Sequence, residues 1–172
     1  MSERFDLDGI DAMSRADFVS AFGDIAEHSP WVAEMAASAR PFSNREAVIA
    51  AFADAVMSAD EETQLALLNA HPNLAGRAAI AGDIGEDSRA EQAGAGLDTL
   101  SPQEFQRFTE LNTAYRKTFG FPFILAVRGA TKYDILGAFE ARIDNDRETE
   151  LSTALQQVCR IMRFRLEDRI VE

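Results

Sequence analysis

The stretch Ser101-Pro102-Gln103-Glu104 opens the most constraining segment of the chain. A serine followed three residues later by glutamate reads as a capping box, and proline at the first helical position lacks only an N–H that would have had no helical partner. Behind it Phe105, Phe108, Asn112, Tyr115 and Phe119 recur at spacings of three and four until Gly120 ends the run. Similar starts stand at Ser43 to Glu46, Ser88 to Glu91 and Asn145 to Glu148. In the last segment Leu151, Leu155, Val158, Met162 and Leu166 repeat the helical period. No alternation of period two is long enough for a sheet. The expectation is all-α: a single-domain bundle of about seven to eight helices, near 14–22, 30–39, 44–58, 61–70, 88–94, 102–119, 132–142 and 146–168. The domain spans 1–172, with its core in about 14–168.

Composition narrows the partners. The 172 residues are 47% hydrophobic and can bury one substantial core. The formal net charge is −12 and no basic run interrupts it, so neither nucleic acid nor an anionic membrane is an expected partner. An anionic small molecule would need a local positive group to hold it. The longest apolar run, 121–127, is far short of the roughly 20 residues that cross a bilayer, and "MSERFDLDGIDAM" has no signal-peptide pattern. The expectation is a soluble, cytoplasmic protein. Cys159 stands alone, which excludes an intrachain disulfide and a cysteine-based zinc site.

Three features point to chemistry, and each has a plain structural alternative. His71 is one of two histidines and precedes Pro72, so it falls at a helix end or in the adjoining turn, its ring not committed to a packed face. A catalytic imidazole could sit there, and so could an idle one. Ser88, Glu91 and Gln92 share one face of a helix set among glycines in the region 76–96, expected to be a mobile or site-forming loop. A capping box accounts for Ser88 and Glu91 but not for Gln92. Arg165 lies on the apolar stripe of the last helix with 158, 161, 162 and 166, whereas Arg160 and Arg163 lie off it. It either pairs with an internal carboxylate or snorkels, or it holds a substrate anion bidentately. The segment "FGFPFILAV" adds a backbone question, because no partner strand exists to satisfy its peptide groups. It is either irregular packing or a wall whose amides and carbonyls bind a planar, amide-rich ligand.

The blocks "SPWVAEMAASARPF", "AHPNLAG", "EDSRAEQAGAGLDTLSPQEFQRFTELNTAYRKTFGFPFILAVRG" and "QVCRIMRFRL", together running from about Phe18 to Leu166, resemble the 2-oxo-4-hydroxy-4-carboxy-5-ureidoimidazoline (OHCU) decarboxylases of urate degradation. The resemblance implies an all-helical homodimer without cofactor or metal that converts OHCU into (S)-allantoin and carbon dioxide. By matched position it implies a catalytic role for His71, a catalytic or orienting one for Glu91, and substrate contacts from Pro72, Ser88, Gln92, Arg165 and the main chain of Phe123, Ile124, Leu125 and Ala126. Asn73 departs from the aspartate frequent in the family's "HPDLAG".

Two other readings compete. An acidic helical interaction module would share the charge and the caps, but predicts an exposed apolar stripe and no arginine on a core face. A metal-dependent hydrolase would need His28 and His71 to cooperate, yet no H-x-x-x-H or H-E-x-x-H spacing exists, and His28 before Ser29-Pro30 reads as a helix-starting turn.

Overall fold

The computed structural model describes residues 3–76 and 84–172. Among them are nine helices, eight of seven residues or more, and no strand: α1 (Leu7–Ala12), α2 (Arg15–Phe22), α3 (Trp31–Ala37), α4 (Arg45–Met57), α5 (Glu61–Asn69), α6 (Glu86–Gly94), α7 (Pro102–Phe119), α8 (Lys132–Arg142) and α9 (Arg147–Arg169). The all-α expectation holds. The short α1, capped by Asp6 accepting from the Gly9 N–H, is an addition; its six residues are too few to show a period.

The caps explain where the helices begin. Ser101 and Glu104 form the expected box, with Pro102 at its first turn, and Gly120 closes α7 in the left-handed region at φ 83°. Three starts differ from expectation. Asn44, not Ser43, caps α4 by accepting from the Ala47 N–H. Asp146, not Asn145, accepts from the Thr149 N–H ahead of α9. Ser88 and Glu91 form no capping box, because Gly85 stands at the N-cap and α6 is already under way at Glu86. In each case an acceptable cap lies within a few residues of the expected one, and the spacing to a glutamate does not decide between them.

The chain divides into two compact units. The first joins residues 1–70 to 158–172 and packs α2 on α3 and α3 on α4. Phe18, Phe22 and Phe52 are its aromatic centre, with Phe18 and Phe22 centroids 5.0 Å apart. Arg40 ties its loops together, donating to the carbonyls of Ile10, Met13 and Ala37 while its guanidinium lies 5.1 Å from the Phe18 ring. An isolated parallel bridge joins Phe5 to Ile170. The second unit, 71–157, contains α6, α7, α8 and the first half of α9. Tyr115, Phe123 and Phe139 form its centre, Phe123 stacked on Phe139 at 3.7 Å and edge-on to Tyr115. No helix among the described residues is long and apolar enough to cross a membrane.

Candidate active site

α5 ends at Asn69, with Ala70 as its C-cap, and Pro72 keeps the chain from continuing as helix. His71 therefore falls just past the helix end, as the sequence predicts. Its ring is not a solvated one, however: the residue is only 7% exposed. The loop that follows it is held by partners remote in sequence. The Gln92 carboxamide reaches from α6 to the loop after His71, its Oε1 accepting from the Ala75 N–H at 2.9 Å and its Nε2 donating to the Asn73 carbonyl at 3.4 Å. From α7, Asn112 Nδ2 donates to the Leu74 carbonyl at 2.8 Å. Arg116 Nη2 adds a longer hydrogen bond to Asn73 Oδ1 at 3.4 Å. Between these holds Ala75 adopts φ 55°, a left-handed conformation that costs an alanine about 1 kcal/mol. An open cleft of about 680 Å³ borders this loop, with Asn73, Asn112 and Arg116 among its walls.

Ser88 and Gln92, four residues apart, are both buried on the inner face of α6, and Glu91 is half-buried beside them. Once the cap is assigned to Gly85, helix initiation no longer accounts for Ser88 and Glu91. The glycine-rich region expected to form the loop is described only from residue 84 onward; residues 77–83, with Gly82, lie outside the described residues.

Phe123 to Ala126 lie in the same unit as His71, in a segment with no regular structure. Two of its peptide groups are held by side chains: Arg142 Nη1 donates to the Ile124 carbonyl at 2.6 Å, and Gln157 Oε1 accepts from the Ala126 N–H at 3.0 Å. Among the described residues the main-chain groups of Phe123 and Leu125 make no hydrogen bond. Side chains thus hold the segment at two points, on either side of Leu125.

Arg165 belongs to the other unit. It is 3% exposed, so its place on the apolar stripe is as expected, and it meets an internal carboxylate: Nη2 lies 3.9 Å from Glu27 Oε1, while Nη1 donates to the Ile25 carbonyl at 3.1 Å. Arg163, off the stripe, is more exposed and pairs with Glu46. His28 is exposed, in a left-handed turn three residues before α3. Among the described residues no three His, Cys, Asp or Glu side chains gather. Asn112, Arg142 and Gln157 are contributors that the sequence reading did not single out. A polar residue on an apolar stripe was the available signal for Asn112.

Residues 11–167 match the OHCU decarboxylase family. The chain is 44% identical, over 95% of each sequence, to the 2-oxo-4-hydroxy-4-carboxy-5-ureidoimidazoline decarboxylase of Haloferax volcanii. It is also 44% identical to the uric acid degradation bifunctional protein PucL of Bacillus subtilis, of which it covers 33% against 98% of its own length. Among solved structures it resembles (S)-allantoin synthase, with a TM-score of 0.78 and 32% identity over 96% of this chain and 53% of that longer one. An OHCU decarboxylase structure determined in the presence of (S)-allantoin matches with a TM-score of 0.66 and 25% identity, covering 80% of this chain and 89% of that one. These likenesses place the chain in a class of all-α carboxy-lyases. It belongs to the OHCU decarboxylase family.

Proposed function

We propose that this chain is a single OHCU decarboxylase-like domain that decarboxylates OHCU to (S)-allantoin in urate degradation without a cofactor. Family membership over residues 11–167, a range that runs through both units, carries this reading. The substrate explains how little is needed. Breaking the bond from C4 to the carboxylate leaves an electron pair; it forms a C4–C5 double bond while the ring C=N pair moves to nitrogen, which takes a proton. The ring is its own electron sink. The resulting enol must then lose its hydroxyl proton and gain one at C5, and the face of that delivery sets the configuration.

His71 is the group for both transfers. A buried imidazole on a loop fixed by Gln92 and Asn112 has the constrained placement that facial delivery requires. Glu91 orients the imidazole or the ureido N–H groups. Ser88 and Pro72 contact the substrate, with the ureido arm at Ser88. Gln92, whose carboxamide spans Asn73 and Ala75, acts through the loop and retains one N–H for the ureido arm. The open peptide groups of Phe123 and Leu125, between the held ones of Ile124 and Ala126, bind the ring edge. Arg165 takes a carboxylate or carbonyl of the substrate. A tight grip on the departing carboxylate stabilises the ground state and does not itself accelerate loss of carbon dioxide. The working species is a homodimer in the cytoplasm.

A noncatalytic interaction module has less support. Of the large apolar side chains exposed among the described residues, Met35, Met57 and Tyr133 stand on three different helices and Val171 follows the last one, and Arg165 is buried. The test generates OHCU in place with urate oxidase and hydroxyisourate hydrolase, then follows the circular dichroism of allantoin. Wild type should accelerate formation of one enantiomer, whereas His71→Asn should lose roughly 10²- to 10⁴-fold in turnover and leave slow, nearly racemic product. Near-normal enantioselective turnover by His71→Asn would assign the proton to another group.

A further inference from the structure

Glu150 is wholly buried, and its carboxylate accepts three hydrogen bonds: from the Tyr115 hydroxyl at 2.7 Å, Arg142 Nε at 2.9 Å and Asn145 Nδ2 at 3.1 Å. The cluster holds one guanidinium in place. Arg142 lies between this carboxylate and the Ile124 carbonyl, with its guanidinium carbon 4.3 Å from the Phe123 ring centroid. Its Nη2 is buried without a partner. An unmatched N–H group in the interior is costly, so the two hydrogen bonds that Arg142 does make decide where it sits.

We propose that Arg142 is a positioning residue for OHCU decarboxylation. Glu150 orients Arg142, Arg142 fixes the main chain at Ile124, and Gln157 fixes it again at Ala126. The peptide groups of Phe123 and Leu125 are thereby presented at a set spacing to the planar ring. The inference rests on the reading that this segment binds the ring, and it adds a side chain that never touches substrate. An arginine is required because its planar fork spans a carboxylate and a carbonyl at once, whereas a lysine ammonium reaches them as a point charge.

The test uses the full chain with (S)-allantoin as the probe and ¹⁵N-resolved amide shifts, calorimetric affinity and OHCU kinetics as readouts. In wild type the Phe123 and Leu125 amides should shift as allantoin saturates. Arg142→Lys should raise the allantoin Kd and the OHCU KM roughly tenfold, with kcat within about threefold and a single enantiomer still formed. If Arg142 serves stability alone, the apparent kcat falls with the folded fraction while KM and Kd hold, and the proposal is overturned. Should Arg142→Lys melt below the assay temperature, Glu150→Gln carries the same expectation, because it keeps the shape and the Tyr115 hydrogen bond while losing the charge that orients Nε. Unchanged KM in folded Glu150→Gln overturns the proposal equally. Wild-type amides that stay still at saturation would remove the ring site and this proposal with it. Shifting amides with unchanged variant affinities would reject the role of Arg142 alone.

Discussion

Each of the two units holds an arginine, half-buried Arg142 in one and buried Arg165 in the other, that donates to a main-chain carbonyl and faces a buried carboxylate, but the two pairs are spaced differently. Arg142 and Glu150 are 2.9 Å apart, and Glu150 has two further donors. Arg165 and Glu27 stand 3.9 Å apart. The first arrangement is a tight, interlocked anchor, and the second pair is more widely spaced. Burial alone therefore does not separate a structural arginine from a binding one. The distance to the carboxylate is where the two differ.

If that contrast is right, the largest effect belongs to the anchor. Glu150→Ala strands the largely enclosed Arg142 guanidinium, and unfolding by denaturant should show a loss of about 3–5 kcal/mol. A loss below about 1 kcal/mol would make the two arginines alike and break the comparison. Arg165→Lys sharpens it from the other side. OHCU kcat/KM should fall by roughly 10- to 100-fold, mostly through KM, with the far-ultraviolet spectrum retained and a melting temperature within about 3 °C of wild type. A steep drop in melting temperature with unchanged KM would place Arg165 in the structural class.

The smallest effect is expected at Asp24, whose carboxylate pairs with Arg169 in the unit that holds Arg165. Partial burial raises its pKa, but the hydrogen bonds and charge of Arg169 outweigh that, and the carboxyl titrates below its ordinary value of 3.8. A depressed folded-state pKa contributes stability above that ordinary value and loses it as pH falls through the folded one. Asp24→Asn should therefore cost less than about 1 kcal/mol at neutral pH, because the side chain is largely exposed, and the difference from wild type should close below pH 3.8. A gap that stays constant down to that acidity would show the pair has no electrostatic worth.

What was legible in the sequence follows the range of the interactions. Helix α7 could be read almost to the residue because serine, proline and the closing glycine are local signals. α6 starts two residues before the expected 88, because a serine and glutamate at capping distance lie inside a helix that Gly85 begins. The helix end at His71 is a local signal, but the hydrogen bonds that fix the loop after it, from Gln92 and Asn112, span 17 and 38 residues. Arg165 stood out as a charge on an apolar stripe. The same test applies to Glu150, four before the buried Ala154 and eight before Val158, and would have found the anchor. Arg142 had no such mark, since the last turn of a helix is an ordinary place for a cation.

The loop that follows His71 is secured mainly by the carboxamides of Gln92 and Asn112. Neither group ionises, and short-range dipolar contacts of this kind are little weakened by dissolved ions. In the proposed cycle a change of charge on His71 would leave the strength of these two supports unaltered. These two supports are electrically neutral, whereas the Arg116 hydrogen bond to Asn73 carries charge and is the one that dissolved ions can weaken.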